Sequence, residues 1–113
     1  MCYLLEIHLI YVMPKLYEYL GMSIFFYSNE HETAHVHGRD QGRESKFEIL
    51  IENGEIKGIR SKTVRGRKTL DWVQQQLLQE FVEAYAEQIV QRWIDYFVYN
   101  REIATEIINQ RVK

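Results

Sequence analysis

The sequence predicts an α+β fold: an antiparallel β-meander of about four strands, then a long amphipathic helix and a short C-terminal helix. Three observations carry this. Asn53-Gly54 separates two runs of alternating apolar and polar residues, and Asn-Gly accepts the positive φ that a two-residue hairpin turn demands at both central positions. From Leu70 onward apolar residues recur at three- and four-residue steps, the period of one helix face. All six glycines and the single proline precede residue 68, so nothing breaks a helix over residues 68–98.

Taken in order, residues 22–28 (MSIFFYS) are β-branched and aromatic, with Gly21 before them and Ser28-Asn29 after, which reads as a strand between turn formers. Residues 34–38 (AHVHG) alternate and form a second, shorter strand. In residues 45–51 (SKFEILI), Phe47, Ile49 and Ile51 share one face and Lys46, Glu48 and Leu50 the other. The chain returns through residues 55–60, which sets Ile51 opposite Ile56.

The helix shows Leu70, Val73, Leu77, Phe81, Tyr85, Ile89 and Trp93 on one stripe, with Thr69 as N-cap and Asp71 in the first turn, where a carboxylate suits the helix dipole. It is one long helix or two joined at a kink. The aromatic series Trp72, Phe81, Tyr85, Trp93, Tyr96 and Phe97 has the spacing of core packing. The tail ATEIINQRVK is expected to form the last short helix, capped by Thr105.

The chain of 113 residues has the length of one domain, with no repeat, low-complexity tract or Pro/Gly/Ser linker. It divides into an N-terminal extension (1–12), a β half (13–60) and a helical half (69–113). At this length roughly two-thirds of the unfolded surface can be buried, so folding needs no metal or disulfide. The lone cysteine, Cys2, excludes an intramolecular disulfide. The apolar opening MCYLLEIHLIYV contains Glu6 and His8 and lacks a basic n-region and a cleavage site. No segment reaches the roughly 20 apolar residues of a membrane span. The expected location is therefore the cytoplasm, with no membrane partner.

Net charge is −2, but residues 57–68 (KGIRSKTVRGRK) hold six Lys/Arg and no acid. The segments on either side are net acidic. Arg60, Lys62, Arg65, Arg67 and Lys68 could thus contact several phosphates or dock an acidic partner. The bland alternative is a solvated connection whose charge keeps a sheet edge from pairing.

Three of the four histidines fall within SNEHETAHVHG. On an extended segment His35 and His37 project from one face roughly 7 Å apart, with Val36 turned to the core and the imidazoles on the less buried side. His31, in the preceding turn, can fold back towards them. Three readings follow. One of His35/His37 acts as general base and the other as general acid on a phosphodiester, His31 orients one of them, and Arg39, Arg43 or the basic block holds the phosphate. Alternatively, His31, His35 and His37 bind a divalent transition metal such as zinc. Otherwise they are exposed histidines in a turn and an edge strand, and no cofactor is used. No phosphate loop, nucleophile elbow or DNA-reading helix is present in the sequence.

The stretch MPKLYEYLGMSIFFYSNEHETAHVHG, followed by a hairpin and a helix ending in QRWIDYFV, resembles the small bacterial proteins of the domain of unknown function 4160 family. The resemblance covers about residues 13–113, with Glu30-His31, His35-x-His37 and Trp93 as its best markers. Thr33 and Ala34 stand where the family usually has prolines, and Val36 where it has an aromatic. Residues 1–12 fall outside the pattern, which makes Met13 an alternative start to Met1. The resemblance implies no established activity. The family's gene neighbourhoods imply a toxin–antitoxin-like pair, hence a cognate small antitoxin-like protein as partner; with the His cluster as active or binding site and the basic block gripping the backbone, RNA is the expected target. A non-catalytic module binding a partner protein or DNA stands beside that reading.

Overall fold

The computed structural model describes residues 13–28 and 33–113; the expected N-terminal extension with Cys2, and the turn carrying His31, lie outside the described residues. The elements are β1 (Lys15–Tyr19), β2 (Met22–Phe25), β3 (His35–Asp40), β4 (Arg43–Glu52), β5 (Glu55–Thr63), α1 (Trp72–Phe97) and β6 (Glu106–Ile108). The strands form one sheet in the order β5-β4-β3-β2-β1-β6, antiparallel throughout except that β6 runs parallel to β1.

The hairpins arise from local turn chemistry. Leu20-Gly21, Gln41-Gly42 and Asn53-Gly54 each place two consecutive residues at positive φ, the backbone of a tight two-residue turn. The last sets Ile51 opposite Ile56, as the sequence predicts. The Gln41-Gly42 turn fixes the register that matters for the site: Arg39 faces Glu44, His37 faces Lys46, and His35 faces Glu48.

Three expectations are corrected. The meander has five strands rather than four, because Lys15–Tyr19 pairs with β2. Leu16, Tyr17 and Tyr19 are all buried, so this strand shows no clean alternation to read. The tail forms β6 instead of a helix: Thr105 Oγ1 donates to the Lys15 carbonyl at 2.9 Å, and Leu20 N to the Ile108 carbonyl at 3.2 Å. A free edge on β1 offers a tripeptide with two β-branched residues, Ile107 and Ile108, more than a helix of one or two turns can. The helix cap is Asp71 rather than Thr69; its carboxylate accepts from Gln74 N at 3.0 Å.

Helix α1 lies across one face of the sheet. Leu78, Phe81, Val82, Ala86 and Ile89 bury against Leu16, Ile24, Val36, Phe47 and Ile49. It bends at Tyr85 (φ −110°, ψ 16°), whose ring stacks on Phe81 with centroids 4.4 Å apart. At Gly38 the helix comes close enough that a Cβ would stand 2.7 Å from Leu78 Cδ2. The aromatic series is core only in part. Trp93, Tyr96 and Phe97 pack against the core, but Trp72 is 79% exposed, because it leads the polar stripe of the helix.

Candidate functional site

The face of the sheet away from α1 carries the chemistry-bearing residues. Val36 turns to the helix side opposite Phe47, so alternation sends His35, His37 and Arg39 to the other side, opposite Glu48, Lys46 and Glu44. The sequence predicts this shared face, but the expectation that it is the less buried one is corrected. His35 is 3% exposed and His37 1%. His37 is enclosed by rings: Phe25 stacks on it at 5.5 Å, Tyr27 meets it edge-on at 4.6 Å, and His35 meets it edge-on at 5.4 Å.

At the centre is a residue that sequence reasoning missed, Glu44, which is fully buried. Its Oε2 accepts from His37 Nδ1 at 2.9 Å and from the Tyr27 hydroxyl at 3.0 Å. Its Oε1 accepts from Arg39 Nε at 3.0 Å, and Arg67 Nε lies 3.7 Å away. Arg39 Nη2 in turn donates to the Tyr27 hydroxyl at 2.9 Å, and its guanidinium lies over the Phe25 ring, 5.2 Å from the centroid. A buried carboxylate is tolerated because donors surround it.

Hydrogen bonding fixes both imidazoles. The Thr33 carbonyl can only accept, so His35 Nδ1 donates to it at 2.7 Å. His37 Nδ1 donates to the Glu44 carboxylate in the same way. In each neutral ring the lone pair therefore sits on Nε2.

Burial raises the Tyr27 pKa and the Glu44 carboxylate raises it further, against the opposing effect of Arg39. Burial works against the charge on Arg39, but the bond to Glu44 outweighs it and the guanidinium pKa lies above its ordinary value. Tyr17, within the core, is likewise raised by burial, with Arg92 opposing. A raised phenol holds its proton longer in the folded than in the unfolded state. The associated stability is complete below the unfolded value of about 10 and declines as pH rises through the folded value. Urea midpoints are accordingly expected to fall between pH 9 and pH 11, and Tyr27→Phe to flatten part of that fall.

The basic block divides into two sets. Arg60 is paired with Glu48 (Nη2–Oε1 3.0 Å), and Arg67 reaches Glu44. Lys62 stands directly opposite Lys46 in the β4–β5 register, a like-charge pair with no stabilising value of its own. Arg65 and Lys68 are exposed, and neither side chain forms an ion pair among the described residues. The segment wraps from β5 round the start of β4: Glu44 N donates to the Lys68 carbonyl (2.8 Å), Leu70 N to Ser45 Oγ (3.2 Å), and Arg43 Nη1 to the Thr69 carbonyl (3.2 Å). Among the described residues no three His, Cys, Asp or Glu side chains converge on a point that could hold a metal. His31, the expected third ligand, lies outside them. Nor does any described helix have the length and apolarity to cross a membrane.

A family model, described as Domain of unknown function (DUF4160), matches residues 21–94, which span β2 to most of α1. No curated protein and no solved structure matches the chain.

Proposed function

The chain belongs to the DUF4160 family, and from that premise we propose that it is the RNA-binding member of a toxin–antitoxin-like pair, its cognate partner a small antitoxin-like protein. The observation that carries the RNA reading is the collection of two guanidiniums on one buried carboxylate. Glu44 holds Arg39 from β3 and Arg67 from the basic block, and both remain partly exposed. Arg39 is pinned by hydrogen bonds, and Arg67 is drawn within ion-pair range at 3.7 Å, beside the exposed Arg65 and Lys68, with the Lys46–Lys62 pair on the same sheet face. Pinned guanidiniums present donors to phosphate without the entropy cost of ordering free side chains. In this reading His37 is a positioning residue that helps hold Glu44.

The test is fluorescence anisotropy of a labelled single-stranded RNA titrated with protein over a range of salt. Affinity is expected to fall with rising salt. The double variant Arg65→Ala/Lys68→Ala is expected to reduce the log–log slope by about 1.4, at roughly 0.7 for each phosphate no longer neutralised. Equal slopes in wild type and variant would exclude the block as the RNA-binding surface.

One observation favours a catalytic version. A carboxylate 2.9 Å from His37 Nδ1, with His35 as neighbour, is the arrangement of an oriented general base beside a second acid–base group. RNA cleavage by purified protein that disappears in both His35→Gln and His37→Gln, with circular dichroism unchanged, would establish it. Because both rings are almost wholly buried, binding is the better supported of the two readings.

A further inference from the structure

Trp72 opens α1 on its polar stripe, followed at three- and four-residue steps by Gln75, Gln76, Gln79 and Glu83. The buried stripe runs instead through Leu78, Phe81, Val82, Ala86 and Ile89. The indole is thus 79% exposed while Leu70, two residues earlier, is anchored in the core. An indole contributes large apolar area wherever it is buried, so one left in water on a row of amides has no packing role. It forms one wall of a cleft of about 410 Å³ lined also by Gln75, Gln76, Gln79, Glu83 and Lys113.

We infer that this cleft takes an unpaired nucleobase of single-stranded RNA, stacked on Trp72, while the neighbouring block holds the backbone. The inference rests on the RNA reading above and narrows it to single strands. Three features select a base over other occupants. The wall is an aromatic face, which stacks on any base but only on one freed from a duplex. The lining is rich in amides, which both donate and accept, as base edges do. Gln75 is held in one orientation by Ser45 Oγ (2.6 Å to its Oε1) and Ser61 Oγ (3.0 Å from its Nε2). Gln79 is exposed on the same stripe. Finally, the cleft carries little net charge, since Glu80 is neutralised by Arg111 (Nη2–Oε2 2.7 Å) and Glu83 shares the lining with Lys113; an uncharged base suits it, and the phosphates fall to the more strongly basic Arg65, Arg67 and Lys68 outside it. Lys68 precedes Trp72 by four residues, within about 14 Å of extended chain, so a short run of nucleotides can touch both.

The experiment measures binding of three labelled probes at low salt: a single-stranded RNA, an abasic strand of the same length and charge, and the RNA duplex. Wild type is expected to favour the base-bearing single strand. Trp72→Ala should weaken that probe by about 5- to 150-fold, the worth of one stacked base. It should leave the abasic strand unaffected, and Trp72→Phe should restore most of the loss. Trp72 is exposed, so the melting temperature serves as a control that does not move. Unaltered binding of the base-bearing strand by Trp72→Ala, or equal binding of abasic and base-bearing strands by wild type, overturns the inference while leaving the RNA reading intact. Failure of all three probes to bind overturns the RNA reading itself, and this inference with it.

Discussion

Replacing Glu44 with alanine is expected to lower the free energy of unfolding by about 3 kcal/mol, at the lower end of the cost of stripping one partner from a buried ionic network. The figure follows from what is left behind. Without the carboxylate, the His37 Nδ1 hydrogen and the Tyr27 hydroxyl lose their acceptor in a dry setting, at about 1–3 kcal/mol for each unsatisfied group. Arg39 and Arg67 are partly exposed and recover some hydration, which keeps the total from the upper end. Glu44→Gln keeps the volume but exchanges one acceptor oxygen for a donor, so it should fall between wild type and alanine. Urea denaturation measures all three. The control is Glu48→Ala, which breaks a partly exposed pair with Arg60 and should cost about 1 kcal/mol or less. A Glu44→Ala midpoint no lower than that of Glu48→Ala would mean that the network does not hold this face together.

The larger effect is expected at Phe81→Ala, about 3–5 kcal/mol. Phe81 is completely buried and stands where three rings meet. It stacks on Tyr85 at 4.4 Å and packs against Tyr17 and Tyr19 at 4.9 and 4.6 Å. Truncation removes the transfer energy of the ring and leaves a cavity that three other aromatics, fixed on a strand and a helix, cannot collapse to fill. Phe81→Leu should recover about half of the loss. Against a typical domain stability of about 5–15 kcal/mol, the alanine variant is expected to be partly unfolded at 37 °C, which thermal melting checks directly. Because Phe81 lies on the helix side, the two substitutions test the two faces of the sheet separately.

How much of this was legible in the sequence depended on how local each cause is. Asn53-Gly54 announces its hairpin within four residues, and the structure has that turn and that register. The shared face of His35 and His37 follows from alternation alone. Glu44 was within reach by the same logic: a two-residue turn at Gln41-Gly42 places residue 44 opposite residue 39, one step along from His37. The weaker turn signal of Gln-Gly, against Asn-Gly, concealed it. The burial of that face was not legible, since nothing local shows that Phe25 and Tyr27 on the neighbouring segment close over the imidazoles. Trp72 was misread because its apolar bulk fits a three- and four-residue template begun one turn too early. Strand β6 was misread because its three residues gain their structure only from the edge of β1, about 90 residues away.

That distance also dictates an order of events. Were β6 to meet β1 before anything else, closing a loop of about 90 residues would cost about 4 kcal/mol of chain entropy, for a few hydrogen bonds in return. Once α1 is seated, only residues 98–105 remain to be closed, at about half that cost. The last strand is therefore a latch that shuts after the rest has assembled. While it is open, β1 is an unprotected template for the strand of another molecule. The protein's resistance to self-association during folding thus depends on the speed of its tail.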